Sequence, residues 1–479
     1  MDQPQKPHVA ILPSPGLGHL NPLVEFARRL VTDHDFTVTF VVPTDVPPSQ
    51  AEKSILYSLP PESVEHIFLP PVNMDDLPKD SKFVTFLTLA VTRSLPALRD
   101  IFRTLVSRRR LVSLVVDLFG TDAFDVAREF DVAAYIFYTS TAMDLSLFLH
   151  MPELDETILG EYRDLTEPVR LPGCVPIPGK ELFDPLQDRT NDAYKLVLHN
   201  AKRFRLADGI MLNSFRELEP GAVKALLEDA PGSSNKPKPP IYPVGPLVNM
   251  KPRVKDTESS NVCLAWLDKQ PRGSVLFVSF GSGGTHSPEQ INEIALGLEM
   301  SGQRFLWVVR RPYDKKDDGA TYFGRNEKPS FDFLPDGFLE RTKGVGMVMH
   351  PWAPQAQILA HGSTAGFMTH CGWNSSLESV VNGVPVVAWP LYAEQKMNAI
   401  VLTQEMNVAL RPKASENGVV KREEIAKVVK SIIEGEEGKK LRNRIEELKE
   451  AAAKTLSPDG ASTRALYEAV TRWKNQLRN

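Results

Sequence analysis

The chain has 479 residues, too many for one ordinary hydrophobic core, so we expect two domains. Its 56 basic and 60 acidic residues leave a formal net charge of −4, which argues against a nucleic-acid partner or an anionic membrane surface. Three scattered cysteines form no disulfide or zinc pattern, and no segment approaches the roughly 20 apolar residues of a membrane span. With no leader pattern at the start, the sequence predicts a cytoplasmic protein.

The first half of the chain alternates apolar strand-like runs with amphipathic helix patterns. Successive strand–helix–strand units of this kind predict a parallel sheet covered by helices. A short basic run, Arg108 to Arg110, stands between a helix and a strand and is interpreted as a solvated loop. The predicted strands are 9–12, 37–42, 111–119 and 133–138, and the predicted helices are 20–31 and 122–130.

A segment dense in proline, glycine and serine, residues 229–246, predicts a linker. Beyond it the alternation resumes, interrupted by a polar loop at 311–332. Ser287, Pro288 and Gln290 predict a capping box with proline at the first helical position. The predicted strands are 275–280, 305–309, 366–369 and 385–389, and the predicted helices are 287–301 and 375–382.

The tail predicts a helix with one apolar stripe that must pack on another element. The stripe consists of Leu466, Ala469, Val470, Trp473 and Leu477. The predicted organisation is therefore an N-terminal domain, 1–245, completed by the helix at 462–479, and a second domain, 246–461. Ligands in open α/β sheets bind beyond the carboxyl ends of the strands.

Polar residues follow two strands of the first half. Gly16, Gly18 and His19 lie between the first strand and the first helix, and Asp117 follows an apolar run that should be buried. A buried carboxylate needs a partner, and His19 is expected at the end of a strand in the same sheet. An aspartate that binds one imidazole nitrogen leaves the other able to take a proton. The alternatives are a structural N-cap for His19 and a cap near Thr121 for Asp117.

The second half contains a dense polar stretch over residues 352–395. His370 follows a predicted strand, and Ser375 is predicted to begin a helix, whose N-terminus favours anions. His370, Asn374 and Ser375 add side-chain donors, which together predict a diphosphate site without a metal. Ser375 and Glu378 are equally compatible with a simple capping box.

This stretch resembles the signature box of the plant family 1 UDP-glycosyltransferases, and the resemblance extends over nearly the whole chain. It implies the GT-B fold, two facing Rossmann-like domains with a cleft between them. Carried over, Trp352 stacks on uracil, Ala353 and Gln355 hold the base and ribose, and Glu378 binds the ribose hydroxyls. The residues implied for the diphosphate are Ser282, His370, Asn374 and Ser375, and those for the sugar are Trp373, Glu394 and Gln395, with Thr141 on the sugar or the β-phosphate.

The resemblance also implies an inverting glucosyltransferase in which His19 is the general base and Asp117 orients it. Residues 115–124 and 171–176 resemble the hydroquinone glucosyltransferases and their bifunctional O- and N-glucosylating relatives. Acceptors of that subgroup are small aromatics such as hydroquinone, monolignols, chlorophenols and chloroanilines, with indoxyl a further candidate. The implied acceptor pocket contains Gly16, Phe83, Leu118, Phe119, Phe148 and Tyr392.

Three features of the sequence allow a competing interpretation. Asp33-His34-Asp35 matches a manganese-binding pattern of other glycosyltransferases but is interpreted as a surface turn, so no cofactor or metal is expected. Cys371 beside His370 is not expected to form a nucleophile pair, because neighbouring strand residues point to opposite faces. A UDP-sugar hydrolase or epimerase of the same fold remains the alternative function. The expected partners are a UDP-sugar and an aromatic acceptor, bound by a monomer.

Overall fold

A computed structural model describes residues 5–228, 238–249, 258–312, 330–350 and 352–475. Its strands are β1 (Pro7–Leu12), β2 (Thr37–Val42), β3 (Val64–Phe68), β4 (Arg110–Val116), β5 (Ala133–Tyr138), β6 (Gly209–Leu212), β7 (Ile241–Pro243), β8 (Val275–Ser279), β9 (Arg304–Val308), β10 (Gly346–Met349), β11 (Thr364–Thr369), β12 (Val386–Ala388) and β13 (Ala409–Leu410). Its helices are α1 (Leu17–His34), α2 (Gln50–Leu56), α3 (Phe83–Arg108), α4 (Ala123–Glu129), α5 (Ala142–Thr157), α6 (Asp192–Phe204), α7 (Pro220–Leu227), α8 (Glu258–Leu267), α9 (Pro288–Ser301), α10 (Phe338–Arg341), α11 (Gln355–Ala360), α12 (Trp373–Asn382), α13 (Gln395–Ile400), α14 (Arg422–Ile433), α15 (Glu436–Thr455) and α16 (Ala461–Asn475).

The chain divides into two compact units, Met1–Asn249 with Lys454–Asn479, and Met250–Ala453. Each contains one parallel sheet, so the predicted α/β class is confirmed. The strand order is β3-β2-β1-β4-β5-β6-β7 in the first unit and β10-β9-β8-β11-β12-β13 in the second. In both sheets the chain reverses its direction of winding in the middle, between β1 and β4 and between β8 and β11, and these are the places where ligands bind in such folds.

The predicted linker is wrong for the part that the structure describes. Residues 241–243 form β7, the edge strand of the first sheet, while 229–237 lie outside the described residues. Proline cannot donate to a sheet ladder, but an edge strand has one unpaired side, so β7 tolerates its proline. The prolines of this segment therefore mark an edge strand of the sheet and not only a linker between domains.

The tail helix α16 packs as its stripe predicts, within the first unit. Leu466, Ala469, Val470 and Trp473 are buried in that unit's core, and Leu477 lies outside the described residues. The Trp473 ring is 5.0 Å from the Tyr135 ring, and the Lys474 ammonium donates to the carbonyl of His34 at 2.8 Å. Arg110 donates to the carbonyl of Lys474, so it is part of this junction, and only Arg108 and Arg109 are exposed as predicted.

Alternate residues of β8 enter two different cores in the second unit. Leu276 and Val278 pack in one cluster, whereas Val275 and Phe277 pack in the other, on opposite faces of the sheet. The helix after β8 starts with the predicted Ser287 cap and Pro288, and it ends at Gly302 in the left-handed conformation. The predicted capping box is only half formed, because the Gln290 side chain pairs with the backbone of Val420 instead of reaching back to Ser287.

Most of the predicted polar loop at 311–332 lies outside the described residues, which omit 313–329. No helix in the described part of the chain is long and apolar enough to cross a membrane.

Candidate active site

A buried carboxylate lies at the switch point of the first sheet. Strands β1 and β4 are neighbours with Leu12 opposite Val116, so the residues that follow them meet. Asp117 is completely buried and accepts three hydrogen bonds. The Ser14 hydroxyl donates at 2.6 Å, the Ser14 amide at 2.8 Å and the Phe119 amide at 3.0 Å. An ionised carboxylate at this position is therefore well solvated by the protein itself.

His19 lies next to this carboxylate, with its Nδ1 atom 3.1 Å from Asp117 Oδ2. The geometry at Nδ1 does not meet the angle that a hydrogen bond requires, so the contact is an electrostatic one. Catalytic hydrogen bonds are often misaligned without substrate. Burial alone would raise the pKa of Asp117, but the His19 imidazole and the Ser14 hydrogen bonds lower it below its ordinary value. The carboxylate is therefore ionised at neutral pH, and it can hold an imidazolium.

The sequence placed His19 on the loop before the first helix, and this prediction is wrong. The helix α1 starts at Leu17 rather than at residue 20, so His19 lies inside it. Gly16, with φ of 112°, is the N-cap residue, and its positive φ lets the chain turn from the strand into the helix. His19 thus projects from the first helical turn, and its side chain remains 19% exposed. The alternative role of Asp117 as a helix cap is wrong, because its side chain binds Ser14, Phe119 and His19, whereas Thr121 donates to Asn200.

Ser14 is a site residue that the sequence interpretation missed. It donates two of the three hydrogen bonds to Asp117. Ser14 follows β1 by two residues, and β1 pairs with β4, the strand that precedes Asp117. This position after a neighbouring strand was the signal that could have identified Ser14. Only the strand order decides which residue faces the carboxylate, and that order is not written in the local sequence.

Thr141 is the N-cap of α5, and its hydroxyl oxygen accepts a hydrogen bond from the Asp144 amide at 3.0 Å. The hydroxyl proton is left to be donated. Glu219, which the sequence interpretation also missed, accepts from the amides of Ala142 and Met143 at 2.9 and 3.2 Å, and burial raises its pKa. The first turn of α5 is therefore held by a carboxylate from the segment preceding α7.

The predicted acceptor residues of the first unit differ in where they lie and in what they contact. Gly16, Leu118 and Phe119 adjoin the His19–Asp117 pair in sequence, and the Phe119 ring lies 5.5 Å from the imidazole. Phe83 begins α3 and is half-buried. Phe148 is 1% exposed and stacks on Phe204 at 5.2 Å, so it packs as a core residue would.

The second unit places His370 at its own switch point, directly after β11 and beside the loop that follows β8. A Cβ atom on Gly281 would lie 2.6 Å from the imidazole, and one on Gly372 would lie 2.5 Å from Nε2. A side chain at either position would therefore push the His370 imidazole out of its place. Cys371, between His370 and Gly372 in the sequence, has φ of 65°, a strained value for a residue of its type, and Asn398 donates to its carbonyl at 2.9 Å.

The His370 imidazole is neutral at physiological pH. Burial, with a smaller contribution from the Arg310 guanidinium, lowers its pKa to about 4. Nδ1 lies 3.2 Å from the Thr369 hydroxyl, and if that hydroxyl donates, Nε2 carries the proton and is the donor. Arg310 also donates to the carbonyl of Ser282, which is itself exposed. A neutral donor beside an oriented loop is suited to a phosphate oxygen.

The helix after β11 begins earlier than predicted, at Trp373 with Gly372 as its N-cap residue. Ser375 is therefore inside the first turn, and the capping box of Ser375 and Glu378 is wrong. Both side chains are instead bound by the Gln355 amide nitrogen, at 2.9 and 2.8 Å. Three residues that the resemblance assigns to the nucleotide thus form one hydrogen-bonded group across α11 and α12.

The remaining predicted nucleotide residues differ in exposure. Ala353 and Trp373 are buried, whereas Trp352 and Asn374 are half-buried. Trp352 follows β10 and Asn374 belongs to the first turn of α12. The backbone amides of this turn point toward its N-terminus, where an anion is favoured.

Gln395 is already engaged with its own loop. Its side-chain oxygen accepts from the amides of Leu391 and Tyr392 at 2.9 and 3.0 Å, and the residue is 3% exposed. Its side-chain nitrogen is then the atom able to donate to a ligand. Glu394 accepts from Asn398 at 3.1 Å, which makes Asn398 a link between this loop and Cys371.

The structure shows where the two competing motifs, Asp33-His34-Asp35 and Cys371, lie. Asp33 and His34 end α1, and Asp35 follows in the left-handed conformation with an ion pair to Lys6 at 2.6 Å. In the described ranges no three His, Cys, Asp or Glu side chains cluster as metal ligands. Burial raises the pKa of the Cys371 thiol to about 12, which removes thiolate chemistry at neutral pH.

Comparison with known proteins supports the same family for both units of the chain. Residues 249–450 match the family described as "UDP-glucoronosyl and UDP-glucosyl transferase". The chain is 59% identical to hydroquinone glucosyltransferase of Rauvolfia serpentina, over 98% of both chains. It is 51% identical, with a TM-score of 0.90 over 98% of this chain and all of the other, to a UDP-glucosyltransferase from Polygonum tinctorium capable of glucosylating indoxyl, solved as a complex with 3,4-dichloroaniline.

A third relative is UGT2 of Phytolacca americana, solved with UDP-2-fluoro-glucose and pterostilbene. The two chains are 48% identical with a TM-score of 0.88, over 98% of this chain and 100% of that one. Identities of this size over nearly whole chains show common family membership, and they confirm the resemblance on which the predicted GT-B fold rests. The chain is an enzyme of the plant family 1 UDP-glycosyltransferases.

Proposed function

We propose that the enzyme transfers glucose from UDP-glucose to the hydroxyl group of a small aromatic acceptor, with inversion, to give a β-glucoside. The observation that carries the proposal is the contact of the partly exposed His19 imidazole with the fully buried carboxylate of Asp117, which accepts three hydrogen bonds. This pair can take a proton without leaving an unpaired buried charge.

In the proposed step, the acceptor hydroxyl transfers its proton to Nε2 of His19 while its oxygen bonds to C1 of the sugar. The bond between C1 and the diphosphate oxygen breaks on the opposite face, and UDP leaves with the electron pair. Asp117 keeps the imidazole oriented and stabilises the imidazolium. The Phe119 ring is buried and lies 5.5 Å from His19, so it packs beside the imidazole at which the aromatic acceptor is proposed to bind.

The donor is proposed to be bound by the groups of the second unit. His370, Ser282 and the first turn of α12 receive the diphosphate, because neutral donors and helix amides compensate its charge. Gln355, Ser375 and Glu378 receive the uridine, with Trp352 stacked on the base. Trp373, Glu394 and Gln395 receive the sugar, joined by Thr141.

Small aromatic acceptors are favoured by what the relatives bind. One relative is named for hydroquinone, one is capable of glucosylating indoxyl and was solved with 3,4-dichloroaniline, and one was solved with pterostilbene. An aniline would offer nitrogen as the nucleophile, so amine acceptors belong in the same test.

The test is turnover of purified protein with UDP-glucose and hydroquinone, a monolignol, 3,4-dichloroaniline or indoxyl, followed by mass spectrometry. We expect acceptor-dependent UDP release, a hexose adduct, and a β-anomeric coupling in the NMR spectrum of the product. Release of UDP and free glucose without acceptor would favour the hydrolase instead. An α-linked product would contradict the inverting step.

The assignment of His19 has its own test. Against a series of phenols of graded acidity, we expect His19→Ala to lose about 10²–10⁴-fold in kcat/KM for the least acidic acceptor and less for the most acidic. His34→Ala, at the other end of the same helix, is the matched control and should keep full activity. If His19→Ala kept the kcat/KM of the unmodified enzyme with every phenol of the series, another group would be the base.

The proposed enzyme is a cytoplasmic monomer that needs no metal. Addition of excess EDTA should leave the rate unchanged, and restoration of a lost rate by Mn²⁺ would contradict this. Sedimentation of the active protein should give the 53.4 kDa of one chain.

A further inference from the structure

One fully buried amide side chain joins the ends of two neighbouring strands in the second unit. Asn398 belongs to α13 and is 0% exposed. Its Nδ2 atom donates to the carbonyl of Cys371 at 2.9 Å and to the carboxylate of Glu394 at 3.1 Å. Because both partners are acceptors, the nitrogen of this amide must be the atom that faces them. Cys371 follows β11, Glu394 follows β12, and these two strands are hydrogen-bonded to each other.

At both strand ends one residue has the left-handed backbone conformation that a side chain disfavours, with φ of 65° at Cys371 and 56° at Ala393. Such residues persist where the surrounding structure holds them, and they are common at binding sites. Cys371 directly precedes Gly372, the N-cap residue of α12. Ala393 directly precedes Glu394, the N-cap residue of α13. Each strained residue therefore sets the direction in which the helix after its strand begins.

Asn398 supports both of these turns from one position. Its bond to the Cys371 carbonyl fixes the peptide plane that follows the strained residue, immediately before the first turn of α12. Its bond to Glu394 fixes a carboxylate at the start of α13. Because one amide nitrogen makes both bonds, a single buried group sets the distance between the N-terminus of α12 and the Glu394 carboxylate.

We propose that Asn398 is a positioning residue of the donor site, which sets the spacing between the part that binds the diphosphate and the part that binds the sugar. The inference rests on the proposed function, in which the first turn of α12 receives the diphosphate and Glu394 receives the sugar. In UDP-glucose these two groups are joined by one C1–O bond, so both parts of the site must accept them at one fixed separation. UDP lacks the sugar and requires only the first part.

The first test compares the affinities of Asn398→Ala for UDP-glucose and for UDP, measured by isothermal titration without acceptor. Alanine removes the amide and both of its hydrogen bonds. We expect the Kd of UDP to rise about threefold, the range of one neutral hydrogen bond, and that of UDP-glucose about 30-fold, because a bond to a charged group is lost as well. An equal rise for both ligands, or no rise for either, would overturn the proposal.

Ser379→Ala is the matched control. Ser379 lies on α12, is 0% exposed and donates to the carbonyl of Val384, so alanine again removes a buried hydrogen bond in the same part of the fold. It should lower the melting temperature, as Asn398→Ala does, but leave the ratio of the two Kd values unchanged. A ratio that rises equally in both variants would report general loosening of α12 and would overturn the proposal.

The contribution of the Cys371 turn is tested by rescue. Glycine adopts a φ of 65° without strain, so Cys371→Gly should keep the turn in place when the Asn398 amide is absent. Cys371→Ala removes the same sulfur atom but keeps the strained conformation. In the Asn398→Ala background we expect glycine to restore the affinity for UDP to that of the Cys371→Gly single variant, and alanine to restore none. Equal affinities of the two double variants would overturn the proposal.

Glu394→Gln separates failure of this inference from failure of the proposed function. If Glu394 binds the sugar, this variant should weaken binding of UDP-glucose more than binding of UDP. An unchanged affinity for UDP-glucose would contradict the sugar assignment in the proposed function, and the inference would fall with it. A weakened affinity in Glu394→Gln beside an unchanged ratio in Asn398→Ala would overturn the inference alone.

Discussion

In the first unit, Asp117 is surrounded by donors from its own sheet, and the neighbouring imidazole faces outward from a helical turn. In the second unit, Gln355, Ser375 and Glu378 bind one another, and Gln395 binds its own loop. In the first arrangement, the carboxylate has three hydrogen bonds before a ligand arrives. The second consists of polar groups that satisfy each other, and binding a nucleotide as proposed would require them to exchange these partners.

The difference follows from the chemistry each unit is proposed to perform. A general base must hold one proton in one geometry, so reorganisation during the reaction would slow it. A binding group can exchange one hydrogen bond for another at little net change in free energy. Damage to the first unit should therefore reduce kcat, whereas damage to the second should first raise KM.

The largest effect is expected from Asp117→Asn. The amide cannot stabilise an imidazolium as a carboxylate does, and its NH₂ group can hold the imidazole in the wrong tautomer. We expect kcat to fall about 10²–10⁴-fold with the KM for UDP-glucose nearly unchanged, measured under saturating acceptor. Asp33→Asn, an exchange at the far end of α1, is the control. A loss confined to KM would contradict a chemical role.

A smaller effect is expected from Gln355→Ala in the second unit. It removes the donor shared by Ser375 and Glu378, so two groups that would bind the nucleotide lose their orientation. We expect the KM for UDP-glucose to rise about tenfold, in the range of one lost hydrogen bond to a charged group, with kcat reduced less. Isothermal titration with UDP should weaken in parallel. A large loss of kcat with normal affinity would reverse the comparison.

Ser14→Ala should shift a pH profile rather than stop the reaction. The pKa of Asp117 is lowered by His19 and by the Ser14 hydrogen bonds, so removing the hydroxyl should raise it. The acid limb of kcat/KM should then move to higher pH by about one unit, the size of one charge-assisted hydrogen bond. The sign holds because a carboxylate with fewer donors binds a proton more readily. Ser14→Thr, which keeps the hydroxyl, should restore the profile.

The smallest effect is expected from pH on donor binding. His370 has a pKa of about 4, so its charge does not change between pH 5.5 and 8. UDP-glucose has no group that titrates in that range, so its KM should stay flat apart from effects of the acceptor. A tenfold improvement in affinity as the pH falls from 8 to 6 would show that His370 becomes protonated and acts as a cation.

Local signals in the sequence were sufficient for the alternating elements. Strand β5 has the predicted bounds, and β2 does as well, because short runs of β-branched and aromatic residues flanked by turns favour buried strands. Helix starts were less accurate. The chain enters α1 and α12 two or three residues early, since glycines at positions 16 and 372 serve as N-cap residues without the side-chain cap that a sequence pattern detects.

The residue types, order and spacing of the chain were enough to predict two α/β units and the polar residues that follow their strands. They also carried the family resemblance, since His19, Asp117 and residues 352–395 can be recognised without coordinates. Only the tertiary structure determined which of those residues meet. Ser14 reaches Asp117 because β1 is hydrogen-bonded to β4, and Gln355 reaches Glu378 because α11 lies against α12. Those contacts join positions 103 and 23 residues apart, and such pairing is set by strand order and helix packing rather than by any local pattern.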